Sequence, residues 1–268
     1  MLERGWSSFR RFVATAGAGP LSARAPEIRR GFDGWLGLGA YLVLACSALS
    51  ALVGTVSYGA HLVLSTLAIF ALSVVAHDAI HRAAARDRRW NRALGWIASA
   101  AVGVPFHVLE DSHQRHHALV DTPADPELYC QGPWWQVPLR LATVLGIYYL
   151  HAEGTLDRAG RLRAKLWLGA SALLVLAVPS LLLLWVVPAL LSSFCFALLT
   201  VWLPHGPLAG PVLRWLPSVT GYHGDHHARS AYPVHQYHQL HEWRRLQARH
   251  FAPDLPQLTQ RDCSSVST

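Results

Sequence analysis

The chain reads as an all-α integral membrane protein, with four transmembrane helices paired as two hairpins under a cytoplasmic helical cap. Three observations predict this. Of 268 residues, 52% are hydrophobic and only 15% are charged, which is too apolar for an ordinary soluble domain. The apolar residues are concentrated, since positions 34–77 and 166–213 contain no Asp, Glu, Lys or Arg. Basic residues gather outside those runs, at 4–30, 82–92, 158–165 and 244–249.

A bilayer-crossing helix needs roughly 20 apolar residues. Each uncharged run therefore holds two spans joined by a tight turn, expected near 35–56, 60–77, 166–184 and 187–204. Residues 1–33 read as a basic lead-in and 34–268 as one membrane domain. Lys and Arg mark the cytoplasmic side of a membrane. Both termini and the 78–165 segment are expected there, with the bacterial inner membrane as the expected location. Between the hairpins, 91–109 is moderately apolar and carries Gly95, Gly103 and Pro105, as an interfacial or re-entrant helix would. Asp121, Thr122, Pro123, Asp125, Pro126, Gly132 and Pro133 predict a loop over 118–133. Residues 134–151 mix Trp134, Trp135, Tyr148 and Tyr149 with apolar positions, which suits an interfacial helix. A further helix is expected around 238–250.

The net charge of +7 has a membrane explanation, and no basic stripe interleaved with stacking aromatics supports nucleic-acid binding. The four cysteines, Cys46, Cys130, Cys195 and Cys263, have no paired spacing, so neither a disulfide framework nor a zinc-type cysteine motif is expected.

The chemistry lies in the histidines. Three clusters stand beside the apolar runs: His77-Asp78-Ala79-Ile80-His81, His113-Gln114-Arg115-His116-His117 and His223-Gly224-Asp225-His226-His227. Side chains three and four residues apart share one helix face. Neutral imidazole is the commonest protein metal ligand. With an even number of spans between them, all three clusters fall on one side of the membrane, and His205 emerges there too. The nine candidate ligands are His77, His81, His113, His116, His117, His205, His223, His226 and His227. Nine imidazoles exceed the needs of tetrahedral zinc and suit two ions, with iron the natural choice for oxygen chemistry. Asp78, Asp111, Asp121 and Asp225 are expected to orient some of these imidazoles. His61, His107, His151, His235, His238, His241 and His250 read as structural. Trp134, Trp135, Trp202 and Trp243 read as interfacial anchors, and Arg244, Arg245 and Arg249 as a headgroup-facing or solvated surface.

The order HxxxH, HxxHH, Leu203-Pro204-His205, HxxHH, with two hydrophobic hairpins between, resembles the membrane-bound fatty acid desaturase superfamily. That group includes acyl desaturases, acyl hydroxylases and carotenoid ketolases and hydroxylases. Asp125-Pro126-Glu127-Leu128-Tyr129, Tyr222-His223 and Tyr232-Pro233 are similar to its flanking sequences. The resemblance implies two Fe ions, O2 as co-substrate and a membrane lipid or acyl substrate. The chain has no His-Pro-Gly-Gly heme motif, so electrons are expected from a separate ferredoxin, rubredoxin or cytochrome. The first box has three intervening residues, a spacing that resembles ketolases, whereas the tail Tyr232-Pro233, Tyr237, Trp243-Arg244-Arg245-Leu246 is closer to bacterial acyl desaturases. Acyl-lipid desaturation is the first expectation and carotenoid ketolation or hydroxylation, or acyl hydroxylation, the alternative. A membrane zinc protease built on His77 and His81 leaves the other seven histidines unexplained. A metal carrier would spread its ligands through the spans.

Overall fold

The computed structural model describes residues 25–120, 122–127, 136, 139–140, 143–203 and 222–251, with side chains described up to 246. It is all-helical, with no strand among the described residues. His205, Asp121, Trp134 and Trp135 lie outside them, as do the side chains of Arg249 and His250.

Helices α1 (Phe32–Leu52) and α2 (Tyr58–Ile80) form the first hairpin, and both are apolar enough and long enough to cross a membrane. At 1.5 Å per residue they measure about 31 and 34 Å. The turn between them, residues 53–57, starts earlier and is longer than expected, and Ser57 at its end caps α2 by accepting from the Ala60 N–H. α1 turns large side chains such as Trp35, Leu42 and Leu49 outward, as a lipid-facing helix does. α2 is the central helix, packed by α1, α3 (Arg88–Val102) and α7 (Leu182–Trp202).

Helices α3 and α4 (Phe106–Leu119) meet at a 99° bend. Gly103 ends α3 in the left-handed region at φ 87°, and Pro105 opens α4. Together the pair makes a broken span or a re-entrant segment, so the described chain has three candidate membrane-spanning helices, or four with this pair. At the bend Gly95 has no room for a Cβ, because the Phe106 ring packs against its backbone.

The third expected span is corrected in position. Instead of 166–184 the helix is α6, Arg158–Ala177, which follows α5 (Val144–Thr155). Asp157 decides where it starts, since its carboxylate caps the Gly160 N–H at 2.7 Å. The helix therefore includes Arg158, Arg161, Arg163 and Lys165 in its first turns and keeps only residues 166–177 free of charge. That uncharged part is about 18 Å long, short of a bilayer core of about 30 Å.

α7, the last expected span, starts at Leu182, not 187, and contains two π-helical turns, Leu182–Val186 and Leu198–Trp202. Pro188 has no N–H for the Leu184 carbonyl four residues back. His61 on α2 takes that carbonyl through Nε2 at 3.2 Å, and its Nδ1 meets Ser65, which in turn reaches Ser47 on α1 at 3.0 Å. His61 is thus the structural histidine expected, and it ties three helices together. α8 (His223–Ala228), a single 3-10 turn (Val234–Gln236) and α9 (Tyr237–Phe251) are the remaining elements among the described residues. Residues 25–31 lie across this end, where the Arg29 N–H donates to Gln236 Oε1 at 2.7 Å and Tyr232 OH to the Pro26 carbonyl.

Candidate metal centre

Three helices bring the boxes together. His77 lies in the last turn of α2 and His81 at its C-cap. His113, His116 and His117 sit in the last two turns of α4, and His223, His226 and His227 occupy α8. Eight of the nine expected imidazoles meet within one cluster, and the ninth, His205, falls outside the described residues.

The meeting point is the Nε2 atoms. His81 and His113 approach to 2.9 Å, His113 and His117 to 3.1 Å, His117 and His226 to 2.9 Å, and His77 and His226 to 3.3 Å. A second group joins His116 to His227 at 3.2 Å and His227 to His223 at 2.8 Å. His117 belongs to the first group, and its ring lies 4.4 Å from that of His227 in the second.

The opposite ring nitrogens say what these contacts are. His77 Nδ1 lies 3.2 Å from Asp78 Oδ1, His113 Nδ1 3.1 Å from Glu127 Oε1, and His116 Nδ1 2.9 Å from Asp125 Oδ1. A carboxylate accepts, so these imidazoles carry their proton on Nδ1 and leave Nε2 bare. His226 Nδ1 lies 2.6 Å from the Tyr237 hydroxyl, whose oxygen can accept from it in that same tautomer. Bare nitrogen lone pairs at such distances repel unless a cation lies between them. With metal–nitrogen bonds of about 2.1 Å, two ligands at right angles stand about 3.0 Å apart, and the contacts here run from 2.8 to 3.3 Å. The donor set fits metal ions. Among the described residues, His77, His81, His113 and His226 form one candidate group and His116, His223 and His227 another.

Burial pushes the His81 and His226 imidazoles well below their ordinary 6.5, and the neighbouring histidines push the same way. Neutral imidazole is the metal-binding form. Burial, reinforced by Asp78, holds the Tyr237 phenol well above its ordinary range, so it stays uncharged.

The carboxylates divide differently from expectation. Asp78 touches His77 as expected and also accepts the Val234 N–H at 2.9 Å, which ties the loop after the third box to α2. Asp111 instead pairs with Arg115 and accepts from Thr155 Oγ1 at 2.6 Å. Asp225 holds His241 at 2.7 Å and Arg244. Arg244 is consequently buried, not headgroup-facing, and Trp243 is buried beside it with Arg229 over its ring. Besides Asp78, the residues that meet imidazoles of the three boxes are Asp125, Glu127 and Tyr237, none of them among the expected ones. The available signal was the Asp125-Pro126-Glu127 stretch, a turn with two acids shortly after the second box.

An apolar cleft leads to the first histidine group. Val74 and Ile80 of α2, Leu145 of α5, and Phe196 and Val201 of α7 line it, and it opens onto His77, His113 and His226.

A family model described as fatty acid desaturase matches residues 54–253, which include all three boxes and the cleft. The chain belongs to this family. Two curated relatives of this desaturase-family chain are described as beta-carotene ketolase. One, from Paracoccus sp. (strain PC1), is 29% identical over 184 residues, covering 64% of this chain and 71% of its own. The other, from Paracoccus sp. (strain N81106 / MBIC 01143), is 27% identical over 185 residues, covering 60% and 70%. No solved structure matches. Family and relatives indicate an oxidoreductase that uses oxygenase-type chemistry.

Proposed function

We propose that this chain is an O2-dependent di-iron oxidoreductase acting on the hydrocarbon part of a membrane lipid. The observation that carries the reading is the convergence of eight imidazole Nε2 nitrogens at the end of an apolar cleft, three of them on rings whose Nδ1 faces a carboxylate. His77, His81, His113, His117 and His226 would hold one ion and His116, His223 and His227 the other, with His205 as a ninth ligand. When bound, iron supplies, with O2 and two electrons from a separate ferredoxin, rubredoxin or cytochrome, the oxidising power to remove hydrogen from an unactivated C–H bond. The chain's own part is positional. Asp78, Glu127 and Asp125 retain the Nδ1 protons of His77, His113 and His116 and so keep Nε2 available. The cleft walls hold an extended hydrocarbon beside His77 and His226 and exclude water.

Four crossings are proposed, by α1, α2, α6 and α7, within a single membrane domain from residue 34 on, with the basic side chains of α6 snorkelling to the headgroups so that all 20 residues of the helix, about 30 Å, serve the crossing. In support, α6 starts beside α4, where His107 Nε2 meets the Gly160 carbonyl at 3.1 Å, and its end leads into the start of α7. That start sits at the first turn of α2, where Tyr58 OH donates to the Leu183 carbonyl at 3.3 Å. The α6 basic residues would then lie at headgroup level on the histidine side, which positive charge assigns to the cytoplasm.

Two reactions fit the site. Acyl-lipid desaturation is supported by the Tyr232-Pro233 to Leu246 tail. Carotenoid ketolation is supported by the three-residue spacing of the first box and by the descriptions of both relatives. The deciding experiment is a lipid and pigment profile of a host that makes β-carotene and ordinary fatty acids, expressing the chain or its His117→Ala variant. A new acyl double bond absent from the variant establishes desaturation, and a carotenoid heavier by one or two keto oxygens establishes ketolation. The same products from His117→Ala would overturn the di-iron reading.

A further inference from the structure

We propose that the turn after α2 and the first turns of α3 form a binding platform for anionic phospholipid headgroups, built from Arg82, Arg86, Arg88, Arg89, Arg92 and Trp90. All five arginines are exposed, within an eleven-residue stretch. The side chains of Arg82, Arg88, Arg89 and Arg92 make no hydrogen bond or ion pair with another described residue. Arg86 reaches Glu27 only at 4.0 Å, with both groups solvated. The one acid in the stretch, Asp87, is committed to capping the Trp90 N–H at 2.8 Å. Arg115 and Arg244, by contrast, are engaged by the protein itself, through Asp111 and Asp225.

The platform is rigidly mounted. Asn91 is buried and clasps both sides of the turn, donating to the Ala79 carbonyl at 2.7 Å and accepting from the Ala85 N–H at 3.2 Å. Arg82 stands in the left-handed region at φ 57°, a conformation that a residue with a Cβ keeps only when its surroundings impose it. α3 buries Leu94, Ala98 and Ala101. It leaves Trp90 and Ile97, seven residues apart on one stripe, 55% and 47% exposed. Exposed apolar groups flanked by unpaired cations are the composition of a helix lying in the headgroup layer, with the indole at the interface. Guanidinium groups bind phosphate in a forked, two-bond geometry. The platform directly follows the end of α2, an apolar helix long enough to cross a bilayer, which is where headgroups would be met. The partner that fits is the phosphodiester of an anionic lipid such as phosphatidylglycerol.

The test is lipid retention. Full-length protein is reconstituted into vesicles of phosphatidylcholine and phosphatidylglycerol at nine to one, re-extracted in mild detergent, and its bound lipid measured by mass spectrometry. Wild type is expected to retain phosphatidylglycerol above the input ratio. A triple Arg88→Gln, Arg89→Gln, Arg92→Gln variant should lose that enrichment by roughly fivefold or more, since each cation near an anionic surface is worth about that factor. A variant with equal loss of charge on α6 (Arg158→Gln, Arg163→Gln, Lys165→Gln), where Lys165 is already paired with Glu153, should lose less of it, since those cations meet headgroups outside the α3 platform. Iron content and helicity are measured on all three as folding controls. Undiminished enrichment in the α3 triple variant overturns the proposal, as does equal loss in both variants. A triple variant that keeps its lipid but needs more of an acidic electron donor overturns it in favour of a protein-docking surface.

Discussion

Asp125 is the buried acid on which the candidate metal centre depends most directly. Both its carboxylate oxygens lie within 3.1 Å of His116 Nδ1, and Oδ1 also accepts the Glu127 N–H at 2.8 Å. Asp125→Ala therefore removes the acceptor that fixes the His116 tautomer and loosens Glu127, which itself holds His113. Hydrogen bonds to charged groups are worth about 1.5–3 kcal/mol. Loss of a partner behind a metal-bound histidine costs roughly 10- to 100-fold in metal affinity, which is the same energy at about 1.4 kcal/mol per factor of ten. Iron-loaded protein challenged with excess chelator should release iron about 10- to 100-fold faster in Asp125→Ala than in wild type. Asp125→Asn, which retains an acceptor oxygen without the charge, should fall between them. Asp111→Asn, whose carboxylate serves Arg115 and Thr155, should release iron at the wild-type rate. Equal rates for Asp125→Ala and Asp111→Asn, with helicity intact, would refute the assignment of Asp125 to His116.

Acid should destabilise the metal-free protein. The folded His81 and His226 values lie well below the unfolded 6.5. As pH falls below about 6.5 the unfolded chain takes up protons that the folded one refuses, so stability falls with falling pH. The thermal midpoint should drop from pH 7 to pH 5, and a flat or rising midpoint contradicts the neutral burial of these rings. His61→Ala should cost about 1–3 kcal/mol by leaving the Leu184 carbonyl without a donor. Iron per folded molecule should be unchanged, because His61 lies about 24 Å along α2 from His77, and iron loss in this variant would show that the brace reaches the centre. Gly95→Ala should cost about 1–3 kcal/mol by driving a methyl into the Phe106 ring. A wild-type thermal midpoint would mean that the α3–α4 bend is looser than drawn.

Short-range periodicity made part of this protein legible without a fold. Histidines three and four residues apart share a helix face wherever that helix goes, so His77 with His81, and His113 with His116 and His117, were legible as claws before any fold was known. Uncharged runs of sufficient length announced α1, α2 and α7, whereas the bend at Gly103 and Pro105 falls inside what reads as a single interfacial or re-entrant helix over 91–109. Asp78 was legible for the same reason, being next to the histidine it holds.

Which other acids face the box imidazoles depends on long-range folding. Asp111 and Asp225 sit within two residues of box histidines, yet helical geometry turns them toward Arg115 and toward His241 with Arg244. Asp125 and Glu127 lie 9 and 14 residues from their imidazoles and reach them because the chain folds back after α4. The path of such a return depends on turn conformations and on the surface it packs against, neither of which is written in the spacing of residues. The start of α6 was misplaced for a related reason, since one capping hydrogen bond from Asp157 outweighed the boundary of the uncharged run. The approach of His77 to His226, 149 residues apart in the chain, likewise rests on how α2 packs against the segment that carries the third box.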